Sequence, residues 1–174
     1  MSKPVDSESV KLVMSVFSAQ NELVNETFSA LRHLYGDMDF ISALIPFDYT
    51  DYYAGEMGSP LYRRFVSFET LVRPETLPDI KWTTNGLEEK EGVDGRRKIN
   101  IDPGYIWHAH LILATGKGYT HRPYLRNGIY ADLTLIYQSG TFQPLPWTYP
   151  DYASQDIIAM FNRIRARYVL QVKE

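Results

Sequence analysis

The feature that most constrains this chain is the order in which its apolar periodicity changes. Lys11 to Ser18 (KLVMSVFS) is β-prone and largely apolar, as a buried strand is. Leu23, Phe28, Leu31 and Leu34 then recur at helical spacing from about Asn21 to Tyr35, and Gly36 stops that helix. Phe40–Phe47 reads as a second strand ending at the Asp48–Gly58 loop, and Leu61–Val72 (LYRRFVSFETLV) as a third that can pair with it. Pro78 opens a second helix to about Glu89, and Lys98–Ile101 is a short fourth strand. The order βαββαβ is that of the split-βαβ, ferredoxin-like arrangement.

Beyond that core, Asp102-Pro103 has the form of a helix N-cap followed by proline at the first helical position. It predicts an added helix to Ala114, closed by Gly116. Ile129–Tyr137 alternates, with Ile129, Ala131, Leu133 and Leu135 on one face and Asp132 and Thr134 on the other. Ser139-Gly140 turns this strand into another at Thr141–Leu145, and a last helix runs from about Ser154 to Val169. The expected class is α+β: a mixed, mostly antiparallel sheet with a ferredoxin-like core, an added helix, a C-terminal hairpin and a C-terminal helix. No repeat, low-complexity tract or linker interrupts the sequence. One domain is therefore expected over 1–174, with 1–9 as a flexible N-terminus.

At 174 residues, 44% apolar and 22% charged, the chain can bury a core. It has no cysteine, which excludes disulfides, zinc–thiolate sites, iron–sulfur clusters and thiol catalysis. No motif points to haem or flavin. The polar, acidic start and the lack of a long apolar run argue against a leader or a membrane span, so a cytoplasmic location is the expectation. The net charge of −3 hides a division: residues 1–95 carry 8 Lys/Arg against 16 Asp/Glu, and residues 96–174 carry 10 against 5.

Two stretches concentrate groups able to do chemistry. In Phe47–Gly58 (FDYTDYYAGEMG), Asp48, Asp51 and Glu56 can hold a hard cation such as magnesium or act as a base, with Tyr52 beside them. The competing reading is that the acids cap turns and the tyrosines pack. In Lys117–Gly128 (KGYTHRPYLRNG), Lys117 and Arg122 suit an anion, and His121 can move a proton near neutral pH. The bland alternative is a basic helix end followed by an Asn-Gly turn. Arg63 and Arg64 follow one another on a strand and so point to opposite faces; one of them can reach a carboxylate or a phosphate, though a structural ion pair with an acid of the preceding loop is the stronger reading. Tyr124, Asp132 and Trp147 are further ligand-binding candidates, Trp147 lying in the stiff aromatic run PLPWTYPDY. Asn100 and Asp102 share a face if the fourth strand runs that far, but Asp102 reads first as a cap. His108 and His110 would lie ~200° apart on the expected helix and so could not share a metal. No Walker-type loop, Gly-x-Ser-x-Gly elbow, His-Glu-x-x-His or dinucleotide fingerprint is present.

Five segments in order carry a family resemblance: FDYTDYYAGEMG (47–58), RRFVSFE (63–69), INIDPGY (99–105), YTHRPYLRNGIYADLTL (119–135) and PLPWTYPDY (144–152). Together they resemble the uncharacterised prokaryotic proteins grouped as domain of unknown function 4416. The resemblance brings no established activity and hence no catalytic assignment. Some members carry the label GTP-binding protein, but this chain has neither a Walker-type loop nor an Asn-Lys-x-Asp motif.

The residues themselves favour a pocket for a phosphorylated or nucleotide-like ligand between the acidic-aromatic loop and the basic turn, with hydrolase or transferase chemistry open. The alternatives are an RNA-binding module and a protein-interaction module, a homodimer included.

Overall fold

The computed structural model describes residues 1–173. Strand β1 (Val10–Ser18) is buried along its whole length and sits near the middle of a nine-stranded sheet. Helix α1 (Asn21–Tyr35) follows and ends where Gly36, at φ 88°, donates its N–H to the Arg32 carbonyl. Then come β2 (Met38–Ile41), β3 (Ile45–Pro46), a one-turn helix α2 (Ala54–Met57) and β4 (Tyr62–Val72). Helix α3 (Leu77–Lys90) leads to β5 (Ile99–Trp107), β6 (His110–Thr115), β7 (Tyr124–Arg126), β8 (Ile129–Gln138), β9 (Thr141–Pro144) and α4 (Gln155–Gln171).

The sheet order is β2-β4-β1-β5-β6-β8-β7, with β3 on β4 and β9 on β8, and every pairing is antiparallel. Its first four strands reproduce the split-βαβ order, and β6 to β9 extend the sheet from β5. The fold is therefore α+β on one open antiparallel sheet.

Each face of the sheet has its own core. Leu12, Met14 and Val16 alternate toward α1 and α3, meeting Leu23, Val24, Phe28, Leu31 and Ile80. Val13 and Phe65 face the other way, against Ile157, Met160, Phe161 and Ile164 of α4. Each such fully buried side chain contributes roughly 1.5–3 kcal/mol. Lys11 is buried on the α4 face. It pairs with Asp39 and donates to Gln171 Oε1 at 2.6 Å, and burial lowers its pKa. No helix of the described residues is long and apolar enough to cross a membrane.

The added helix expected from Asp102 to Ala114 is not there. Those residues form most of the β5–β6 hairpin, turning at His108-Ala109. Ile99, Ile101, Tyr105, Ile106, Trp107 and Ile112 favour a strand, and that preference outweighs the Asp-Pro signal. Proline is tolerated because the β5–β6 ladder starts only at Gly104, one residue further on. His108 and His110 flank this turn: His108 Nε2 lies 3.5 Å from Glu8, and His110 packs on Trp107.

Candidate functional site

The hairpin creates the site by being short. β5 pairs with β6 only over Gly104–Trp107, so residues 99–103 face no strand on that side. On the far side of the gap, Ala114 and Thr115 pair with β8 alone. The sheet forks. Unpaired strand edges must find partners, and α3 supplies them. Lys81 Nζ donates to the Ile101 carbonyl at 2.9 Å, while Glu88 Oε1 accepts the Ile101 N–H at 2.7 Å. Both side chains are buried, and burial raises the Glu88 pKa against the pull of Lys81.

A cavity of about 750 Å³ opens in this fork. One wall is α3, with Lys81, Asn85 and Glu88; the floor is Asn100 and Asp102 of β5 with Arg63 of β4. Across the fork stand Leu113 to Lys117, Arg122 and Asp132. Tyr49, Tyr52 and Tyr53 close one end, and Tyr149 to Tyr152 another.

Most of its charges are already paired. Arg63 pairs with Asp151, both side chains under a tenth exposed, and its guanidinium lies 4.1 Å from the Phe47 ring centroid. The Arg63 Nε has no hydrogen-bond partner among the described residues. Arg122 Nε donates to Asp132 Oδ2 at 2.8 Å and its NH2 to the Tyr149 hydroxyl at 3.0 Å. Burial works against the Arg122 charge, but Tyr149 and Asp132 outweigh it and raise its pKa. Arg97 bonds Glu56 through both carboxylate oxygens, and Arg97 holds the Glu56 carboxyl down to about 2. Lys81 stands 3.7 Å from Asp102. Burial, reinforced by Asp102, pushes the Tyr53 phenol up to about 12. Lys117 alone among the cations of the lining has no carboxylate partner among the described residues; its Nζ lies 4.9 Å from the Tyr52 ring centroid.

The structure thus brings together Tyr52, Arg63, Lys117, Arg122 and Asp132 of the residues singled out from sequence. The acidic-aromatic loop meets the basic turn, but through its tyrosines. Asp48 and Asp51 are exposed and line a separate groove of about 350 Å³, because the turn into α2 directs them outward. Glu56 is taken up by Arg97, so these three acids do not assemble a cation site. Among the described residues no group of three or more His, Asp or Glu side chains is arranged to hold a metal. Arg64 faces the opposite side of β4 from Arg63, as strand alternation requires. Tyr124 packs edge-on against Tyr130, away from the cavity. Trp147 and His121 also stay out of the lining. They stack on each other at 4.8 Å; Trp147 donates to the Leu133 carbonyl, and His121 Nε2 lies 3.6 Å behind Asp132.

Lys81, Glu88, Arg97, Asn100, Asp102, Asp151 and Tyr152 also line the cavity and are not among the site residues expected from sequence. One signal was visible: Lys81 and Glu88 lie seven apart on α3, on the face of the buried Ile80 and Thr84. Charged groups on a core-facing stripe need a polar counterpart. Asn100 and Asp102 share a face through the same alternation that the cap reading set aside.

Fold and site together define an α+β domain of split-βαβ type, forked around a tyrosine-rich cavity of paired charges. The chain belongs to the family described as domain of unknown function (DUF4416), whose model matches residues 8–168. No curated protein and no solved structure matches it.

Proposed function

We propose that the cavity binds a small ligand carrying a flat ring and an anionic group, of the phosphorylated or nucleotide-like kind. The observation that carries this reading is Lys117. Arg63, Lys81, Arg97 and Arg122 each face a carboxylate, whereas Lys117, at the mouth beside Tyr52, has none among the described residues. A point charge next to an exposed aromatic ring suits a phosphate joined to a planar group. Tyr49 and Tyr149, also exposed at the rim, offer further stacking surface. The fixed ion pairs hold the walls before any ligand arrives, which lowers the ordering cost of binding. Hydrolysis or transfer on that ligand would use the same cavity, and the lack of cysteine fits a reducing cytoplasm.

The test is a thermal-shift screen of nucleotides and sugar phosphates, each beside its unphosphorylated counterpart. A true ligand at a hundredfold excess over its Kd adds about 2.7 kcal/mol of stability. For a chain of this size that is a rise of roughly 5–11 °C in Tm. Lys117→Met should weaken the phosphorylated compound about tenfold, the loss of one charge-assisted contact. It should leave the unphosphorylated counterpart unchanged. A screen with no shift, or a Lys117→Met variant that binds as tightly as wild type, refutes the proposal. Tighter binding of single-stranded RNA than of any small ligand would favour the nucleic-acid reading.

A further inference from the structure

We infer that Asp102 recognises neighbouring hydroxyls of a sugar, so that the ligand is a ribonucleotide or a close relative. The inference rests on the ligand reading above and adds the sugar to it. Asp102 lies on the cavity floor with its side chain one-third exposed. Asn100 Nδ2 donates to its Oδ2 at 2.8 Å and fixes the carboxylate plane. Its Oδ1 stands 3.7 Å from Lys81 Nζ, beyond ordinary hydrogen-bond length. A carboxylate accepts up to about four hydrogen bonds, so most of this acceptor capacity is open to a ligand.

The charge around Asp102 selects the kind of donor. Lys81 neutralises the floor locally, so a ligand ammonium would be repelled where a neutral hydroxyl is not. A carboxylate held in one plane, with acceptor capacity left on both oxygens, suits two adjacent hydroxyls, one on each ligand carbon. Lys117 stands across the fork and Tyr52 at the adjoining end of the cavity, in keeping with a phosphate and a ring attached to the same sugar.

The experiment is isothermal titration of the full chain with the four ribonucleoside 5′-monophosphates and ribose 5-phosphate, each beside its 2′,3′-dideoxy counterpart. At least one ribose compound should bind, and its dideoxy partner should bind about tenfold or more weakly. Asp102→Asn should lose a similar factor for the ribose compound only, which erases the difference between the two. Equal affinity of wild type for ribose and dideoxy forms overturns the inference and leaves the ligand reading standing. Retained discrimination in a folded Asp102→Asn variant also overturns it. Failure of every compound to bind overturns both. The wild-type comparison needs no variant, so a poorly folding Asp102→Asn protein leaves the test decisive.

Discussion

Asp151→Asn should be among the most destabilising single polar substitutions in this protein. The Arg63 and Asp151 side chains are 6% and 8% exposed, so the change leaves a cation in the interior without its counter-charge. Breaking a buried pair in this way costs about 3–5 kcal/mol. Two features pull toward the low end. Asparagine still offers Arg63 an oxygen, and the Phe47 ring at 4.1 Å keeps a cation–π contact, a kind of contact worth about 0.5–2 kcal/mol. A loss of about 3 kcal/mol is therefore expected. With a urea m-value near 2 kcal/mol/M, the unfolding midpoint should fall by about 1.5 M. The assay is urea unfolding followed by circular dichroism, with Arg63→Met, Asp151→Leu and the double variant Arg63→Met/Asp151→Leu forming a cycle beside it. The double variant buries no charge and should recover more than half of the summed single losses. A cost below about 1 kcal/mol for Asp151→Asn, or a cycle with no coupling, would show that the pair is solvated and not a fixed part of the cavity wall.

The other stability predictions concern the rim and the fork. The folded-state pKa of Glu56, about 2, lies below its ordinary 4.5, so Glu56 contributes stability above pH 4.5 that is lost as pH falls toward 2. Glu56→Gln should flatten that part of the acid-unfolding curve, by less than about 1 kcal/mol because the pair is partly exposed; an unchanged curve refutes the link. Gly104→Ala should cost about 3 kcal/mol, a drop of roughly 6–12 °C in Tm. The reason is that a Cβ at residue 104 would stand 2.3 Å from the Ile112 carbonyl oxygen and 2.6 Å from Leu113 Cδ2. A Tm within about 2 °C of wild type would mean that β5 and β6 can separate at their junction.

What the sequence discloses about this fold depends on the range of the interaction involved. The core strands and α1, α3 and α4 show as local periodicity, and their order carries the split-βαβ arrangement. Asp102-Pro103 misleads because a cap signal is local, whereas the reason those residues are extended is the β1 ladder to the other side, with Ser15 opposite Asp102. The same limit applies to the site. Lys117, Arg122 and Tyr52 show as local clusters. Their meeting with Lys81, Arg97 and Asp151 depends on a fork in the sheet that no short window encodes. Asp48 and Asp51 instead lie exposed on a separate groove outside the fork.

The fork also explains why so much charge is gathered in so small a volume. A strand edge left open in the interior must be satisfied by side chains, and Lys81 and Glu88 reach from α3 to Ile101 for that purpose. Once a cation and a carboxyl stand there, neighbouring charges need partners of their own. Arg97 accordingly bonds Glu88, Glu56 and Asn100 at once. Such a network is costly to assemble and adds little net stability over an apolar core. Its value lies in rigid placement of the groups it does not consume. Two of those border the cavity from different sides of the fork: Lys117, without a carboxylate partner among the described residues, and Asp102, with open acceptor capacity. The paired charges therefore act as scaffold, and ligand selectivity should follow substitution at these two residues more closely than at the arginines.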